Sequence, residues 1–425
     1  MSDMLLNLAA DAMPCRPFTS AAVGYEPVST QYRGRRLTTH FQPIFSIAHR
    51  RAVGYEGLIR VRRSDGTAES PGELLALPET GQESLALDRI CRGLHIQNFA
   101  RQLPDQSWLF INLDSQYLIN EQPDAGFTRS LLDKTGIAPQ RLVIEIIENK
   151  VSDHAQLQKF ISHFRSLGCL IAIDDFGAGH SNVDRIWELE PDIVKVDRGL
   201  IQRAGQSPRI ARLLTSIVSL IHEAGSLVVL EGIETEQEAM VALAANADML
   251  QGFFFARPHP RIADPLFQAD TFDKLRHRQQ CERAQRGANL QQYLQDMEKL
   301  FSQSVADFTR HQLFARSSAP LLQDVRAVRC YLLDQAGYQI ASNIYAPHYQ
   351  HQLNARFAPL LNGENANWSH KHYHYRAIQR QGTVQLSKPY LSVADSRMCV
   401  TLSQTVSINN KLQVFCCDLD WPDQS

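Results

Sequence analysis

The chain has 425 residues, 44% of them hydrophobic and 21% charged, with a formal net charge of -2. That length is more than one core usually supports and suits two domains, while the ordinary composition excludes wholesale disorder and a fibrous protein. The balanced charge, with a pI near 6.7, excludes a basic coat for DNA and a polybasic membrane tether. The apolar runs are too short to span a bilayer, so membrane insertion is not expected. Residues 1–18 carry Asp3 and Asp11 and no basic leader, which argues against a signal peptide. Eight cysteines without a C-x-x-C pair suit buried thiols in a cytoplasmic chain better than a disulfide framework or a zinc site.

After an N-terminal tail (residues 1–28), a first domain is expected over residues 29–262. Its apolar or β-branched runs, at 37–47, 52–61, 108–113, 142–147, 169–173, 193–196, 227–230 and 249–255, alternate with helix-like stretches. One such helix starts at Ser207-Pro208 and closes at Gly225. Most runs lack the alternation of a one-sided sheet and suit parallel strands buried on both faces. Eight strands alternating with helices over this length predict an α/β fold, a (β/α)8 TIM-like barrel. The doubly wound open sheet fits less well, because no glycine-rich phosphate turn follows the first strand. Prolines at 258 and 260 break the pattern, and a helical connector follows over residues 263–312. Its apolar stripe runs from Leu290 to Phe308, with Gly287 as a break before it. Residues 313–425 predict a smaller α/β domain with an antiparallel sheet, its strands near 325–333, 339–343, 383–386, 399–406 and 412–418. In SHKHYHYR, His370, His372 and His374 would share one face of a strand, a polar sheet face rather than a metal site. Cys416 and Cys417 would point to opposite faces of theirs.

The barrel runs repeatedly close on a polar or ionisable residue: Glu56 in GYEGLIR, Asn112 in FINLD, Glu145 in VIEIIE, Asp174 and Asp175 in IAIDDFG, Lys195 in IVKVD, Glu231 in VVLEG and Gln251 in LQG. In a barrel these gather at the carboxyl-terminal rim. Carboxylates crowded there repel one another unless a cation neutralises them. An all-oxygen set favours Mg²⁺ or Mn²⁺ over zinc. The adjacent acids 174 and 175 can serve two ions, which together activate a water against a phosphodiester. Lys195 would position that water or screen phosphate charge, and no histidine joins the series as a base.

These residues match a known family. GYEGLIR resembles the signature of EAL-domain cyclic di-GMP phosphodiesterases, with Gly57 where the family has alanine. The resemblance continues through FQPIF, INLD, EIIE, DDFGAGHSN, PDIVKVD, LEGIETEQE and LQGFFFARP, over about residues 37–258. It implies a (β/α)8 barrel with one antiparallel strand, metal-dependent hydrolysis of cyclic di-GMP to linear pGpG, and a homodimer with the 207–225 helix at its interface. Carried over by position, Glu56, Asn112, Glu145 and Asp174 resemble ligands of a first ion. Asp175 resembles a ligand of a second, with Asp174 bridging. Lys195 resembles the lysine that holds the catalytic water, and Glu231 and Gln251 complete the metal and water network. Gln42, Leu58 and Arg60 match contacts to the dinucleotide, and Glu148 resembles the glutamate that anchors the loop after the fifth strand. Gly57 frees the backbone beside Glu56 and predicts a slightly looser ligand. FGAGHSN places Ala178 and His180 where the family usually has threonine and tyrosine. The rival expectation is a weak or silent receptor for cyclic di-GMP. Through VRCYLLDQAGYQIASN, SKPYLS and VTLSQTV, the last region is similar to PAS-like or Cache-like sensor domains, the YkuI-type arrangement. It is expected to take a ligand the sequence does not name, or to serve only in dimerisation.

Overall fold

Eight strands close on themselves in the first part of the chain. They are β1 (Arg35–Ser46), β2 (Arg51–Arg63), β3 (Trp108–Asn112), β4 (Leu142–Ile147), β5 (Leu170–Phe176), β6 (Ile193–Val196), β7 (Leu227–Leu230) and β8 (Met249–Leu250). From β2 to β8 each strand pairs in parallel with the next. β1 runs antiparallel to both β2 and β8 and so closes the barrel. This computed structural model describes residues 26–102, 106–113, 126–147, 154–178, 184–349, 363–393 and 396–421. It divides into two units, Met1–Cys281 and Glu282–Ser425. Among the described residues no helix is long and apolar enough to cross a membrane.

The barrel interior explains where the rim residues come from. Ile44, Phe110, Val143, Ala172, Ile193, Val229 and Met249, one from each strand except β2, form a buried apolar cluster. On β2 the position opposite Ile44 is Gly54. A Cβ there would lie 2.6 Å from the Phe110 ring, so the glycine leaves the space this ring fills. Side chains alternate along a strand, so the residue two positions away faces the same interior. On β2 to β8 that step leads to Glu56, Asn112, Glu145, Asp174, Lys195, Glu231 and Gln251, and on the reversed β1 it leads back to Gln42. An apolar layer thus lies directly beneath a polar one. Helices cover the outside: Gly81–Ala100, Phe127–Thr135, His154–Leu167, Asp184–Leu189, Arg198–Gln206, Pro208–Glu223 and Glu236–Ala244. The helix expected after Ser207 starts with proline in its first turn, and Gly225, just past its end, takes a φ of 89°.

The second unit holds an antiparallel sheet of β9 (Ala327–Asp334), β10 (Ile344–Tyr345), β11 (Gln385–Leu386), β12 (Tyr390–Leu391), β13 (Met398–Ile408) and β14 (Lys411–Asp420). Its order is β10-β9-β14-β13-β11, with β12 also against β13. One face packs Cys330, Leu402, Phe415 and Cys417 with Met297, Phe301, Val305 and Phe308 of the long helix Ala269–His311. The other packs Tyr331, Val414 and Cys416 with Tyr373 and Ala377 of the helix His372–Gln379. Cys416 and Cys417 therefore do face opposite sides, each in a core.

Three local expectations fail. Gly287 breaks nothing, because the helix Ala269–His311 runs straight through it. A glycine in a helix costs roughly 1 kcal/mol against alanine, whereas each large side chain buried further along is worth about 1.5–3 kcal/mol. The stretch 339–343 makes only an isolated bridge, Leu333 with Gln339, and the strand comes afterwards at Ile344–Tyr345. The histidines at 372 and 374 lie on a helix, where residues two apart point to opposite sides. His374 is buried with Nε2 3.3 Å from the Asp334 carbonyl, and His370 lies against Trp368.

Candidate metal centre at the barrel rim

Lys195 sits at the middle of the polar layer and is 1% exposed. Its Nζ lies 2.6 Å from Glu231 Oε1, 3.4 Å from Asp174 Oδ1 and 3.7 Å from Glu56 Oε2, and it is ion-paired with Glu145 Oε1. Two amides hold Glu56 in place. Asn112 Nδ2 donates to its Oε1 at 2.9 Å, and Gln251 Nε2 donates to its Oε2 at 2.7 Å. Carboxylate oxygens of Glu56, Glu145 and Glu231 all lie within 4.8 Å of one another. Strands β2 to β8 thus deliver seven of the anticipated residues to one place.

Four carboxylates here face one ammonium. Burial pushes Glu145 well above the ordinary glutamate range, against the pull of Lys195. Burial also raises Glu231 to about 8, with Asp174 and Glu56 adding to the rise and Lys195 opposing it. Burial by itself would lower the lysine, but Asp174, Glu145, Glu231 and Glu56 together hold its ammonium well above the usual range. Apart from the ion pairs with Lys195, both oxygens of Glu145, Asp174 Oδ1, Glu231 Oε1 and Gln251 Oε1 have no hydrogen-bond donor among the described residues. Buried acceptors left without donors are costly. Convergent oxygens with surplus negative charge are the donor set of a hard divalent cation. The residues present fit such an ion.

Asp175 is half-buried and is not among the acids paired with Lys195. It has a left-handed φ of 58°, at a register shift of β5 on β6 between Ile173 and Phe176. A bulge bends the strand at this aspartate pair. Gln42, opposite Glu56 on β1, is buried, and its Nε2 is 3.4 Å from the Ala256 carbonyl. Leu58 and Arg60 follow Glu56 on the same face of β2. Arg60 donates to the Ile59 carbonyl at 2.9 Å, and burial lowers its guanidinium somewhat while Glu56 offsets this. Glu148 and His180 lie outside the described residues. Ala178 donates its backbone N–H to the Asp175 carbonyl at 3.1 Å.

Two residues on these elements escaped the sequence. His40, opposite Leu58 on β1, shares the face of Gln42 and Arg60 and lies 3.3 Å from the Pro258 carbonyl. Burial and Arg60 lower its imidazole. The signal was its spacing of two from Gln42. The second, His95 on the helix Gly81–Ala100, overturns the expected looseness at Gly57. A Cβ on Gly57 would lie 2.9 Å from His95 Cγ, 3.1 Å from its Cβ and 3.2 Å from its Nδ1. The imidazole already fills the space of the missing methyl. It is held by Thr39 Oγ1 at 3.0 Å, and burial lowers it to about 3, so it is neutral.

Known proteins place these features in context. The chain is 26% identical over 355 residues to an uncharacterized EAL-domain protein, YkuI of Bacillus subtilis, covering 80% of this chain and 84% of that one. The crystal structure of YkuI with cyclic di-GMP as substrate and calcium matches with a TM-score of 0.74 at 23% identity. It covers 91% of this chain and 96% of the other, and shows the shared fold. The cyclic di-GMP phosphodiesterase NbdA of Pseudomonas aeruginosa is 28% identical over 258 residues, 58% of this chain and 32% of NbdA. The chain spans about a third (28–32%) of the length of the first curated relatives it matches. The model of the EAL domain matches residues 26–258, more than half of the sequence, and the chain belongs to the EAL domain family.

Proposed function

We propose that the protein hydrolyses cyclic di-GMP to linear pGpG with two divalent cations, Mg²⁺ or Mn²⁺, at the barrel rim. The observation that carries this reading is the ring of Glu56, Glu145, Asp174 and Glu231 around Lys195, with buried carboxylate oxygens that lack donors. Glu56, Asn112, Glu145 and Asp174 would hold the first ion; Asp175 would serve the second, with Asp174 between them. Glu231 and Gln251 would complete the metal and water network. Bound ions supply positive charge to the phosphate and lower the pKa of a water. Lys195, fixed by four carboxylates, orients that water toward phosphorus and keeps its own proton. Arg60 binds a phosphate through charge-assisted hydrogen bonds, and Gln42 and Leu58 line the nucleotide. Glu148 anchors the loop after β5. The test is release of pGpG from cyclic di-GMP and Mn²⁺, followed by chromatography. Product at the level of a Glu56→Ala control refutes the enzyme, and binding without turnover selects the receptor.

A cytoplasmic homodimer completes the reading. It is supported by Leu213 and Leu220, which stand 52% and 39% exposed on the helix Pro208–Glu223. Light scattering should find a dimer that Leu213→Glu converts to monomer, and an unchanged mass would exclude this face. The domain limits 29–262, 263–312 and 313–425 remain those proposed from the sequence, with the last as a PAS-like or Cache-like sensor.

A further inference from the structure

The hairpin of β1 and β2 carries two cross-strand pairs of arginines in different surroundings. Arg35 stands opposite Arg63, and Arg36 opposite Arg62, one register position further on. Like charges directly across a strand pair repel each other. On the face shared with the buried Leu37 and Val61, that repulsion is relieved: Glu69 accepts from Arg35 at 2.6 and 3.0 Å and from Arg63 at 3.3 Å. Side chains alternate along a strand, so Arg36 and Arg62 fall on the other face, the one that carries Gln42, His40, Leu58 and Arg60. Their hydrogen bonds there go to neutral groups. Arg36 donates to Ser29 Oγ at 3.2 Å, Arg62 to the Gly66 carbonyl at 3.0 Å and Arg60 to the Ile59 carbonyl at 2.9 Å. None of the three has an ion pair among the described residues. Arg60 and Arg62 also act on one ring, since burial, then Arg60, His259 and Arg62 lower the imidazole of His40.

Strand residues rise about 3.4 Å each, so Arg62 stands about 20 Å along β2 from Glu56, too far to hold a phosphate at that acid. What reaches that far is charge. The chain as a whole carries a net charge of -2 and offers an anion no general attraction. The rim sets four carboxylates around one ammonium, a surplus that bound cations would do little more than cancel. The unneutralised arginines are therefore the part of this face that can pull on a distant anion. Cyclic di-GMP is such an anion, with a negative charge on each of its two phosphates. We propose that Arg36 and Arg62, continuing the line of Arg60 outward, steer cyclic di-GMP to the barrel mouth and set its association rate without holding it once bound. This rests on cyclic di-GMP being the ligand of the rim. A surface patch of one sign speeds association of an opposite charge and loses that effect as salt rises.

The probe is a fluorescently labelled cyclic di-GMP, mixed by stopped flow with the full-length protein and Mn²⁺ over a range of salt. Two double variants are compared with the wild type. Arg36→Gln with Arg62→Gln removes the charges, and Arg36→Lys with Arg62→Lys keeps them while losing the guanidinium fork. At low salt the glutamine pair should associate about three- to tenfold more slowly, with dissociation unchanged. The lysine pair should associate as the wild type does. All three should converge near 1 M salt, where the Debye length is about 3 Å. Wild-type association in the glutamine pair, equal slowing in the lysine pair, or no salt dependence in the wild type overturns the proposal. Release of pGpG is measured separately and decides the enzyme reading. Binding without product refutes that reading and leaves steering to be judged by the association rates, whereas absence of binding overturns both.

Discussion

Restoring the family's alanine at position 57 should damage this protein. The added methyl would sit 2.9 Å from Cγ and 3.1 Å from Cβ of His95, whereas carbon atoms rest at about 3.5–4.0 Å. Those atoms are the root of a buried side chain on a covering helix, so the methyl cannot be accommodated by swinging a flexible tip. Overpacking of this kind costs about 1–3 kcal/mol, which for a unit of this size lowers the melting temperature by about 2–12 °C. The strain also falls next to Glu56, so Gly57→Ala should weaken Mn²⁺ binding by the otherwise intact site. Removing the ring in His95→Ala costs stability alone, through the cavity it leaves and the orphaned Thr39 hydroxyl. Combined, the two changes remove the contacts to Cγ and Nδ1 and leave only the one to Cβ at 3.1 Å. The double variant should be more stable than the sum of the singles by about 0.5–3 kcal/mol, and should regain Mn²⁺ affinity. The cycle is measured by thermal melts, Mn²⁺ titration calorimetry and pGpG release on all four proteins. Wild-type stability in Gly57→Ala, or simple additivity across the cycle, would refute the pairing of Gly57 with His95.

Lys195→Ala should cut turnover by at least about a hundredfold, because it removes the group that orients the water. It should also lower the metal-free melting temperature and enlarge the rise on adding Mn²⁺, since four acids lose their one ammonium; wild-type turnover would mean that the water is held elsewhere. Without metal, the raised carboxyl of Glu231 keeps a proton that the unfolded chain releases. Stability from this group is present below the ordinary glutamate pKa and is lost as pH rises through about 8. Between pH 6.5 and 9 the metal-free protein should therefore melt progressively lower, with the slope flattened in Glu231→Gln; a slope shared equally by both proteins would count against this account.

Much of the barrel was legible because its signal is doubled. Parallel strands buried on both faces appear as apolar runs, and each run carries a polar residue two places from an interior apolar one. Glu145 after Val143 and Lys195 after Ile193 show the rule plainly. His40 was hidden because it lies inside a strand whose alternation looked incidental. His95 was hidden for another reason: its importance depends on a glycine on a different element, and only the packing joins them. The alternating histidines at 370–374 misled because period two is also compatible with a helix start whose buried positions are Tyr373, His374 and Ala377. At Gly287 local propensity pointed to a break, and the continuing apolar stripe outweighed it.

The two stacked layers inside the barrel separate durability from chemistry. The lower ring, from Ile44 round to Met249, fills the bore, so whatever the rim takes must enter and leave through the same mouth. The upper ring has almost no share in that filling. A lineage could therefore exchange Glu56 or Asp174 for an uncharged residue and keep a barrel that still folds and still presents Arg60 at its lip. In this architecture the passage from enzyme to sensor is short, and it runs through one storey of the building while the foundations stay as they were.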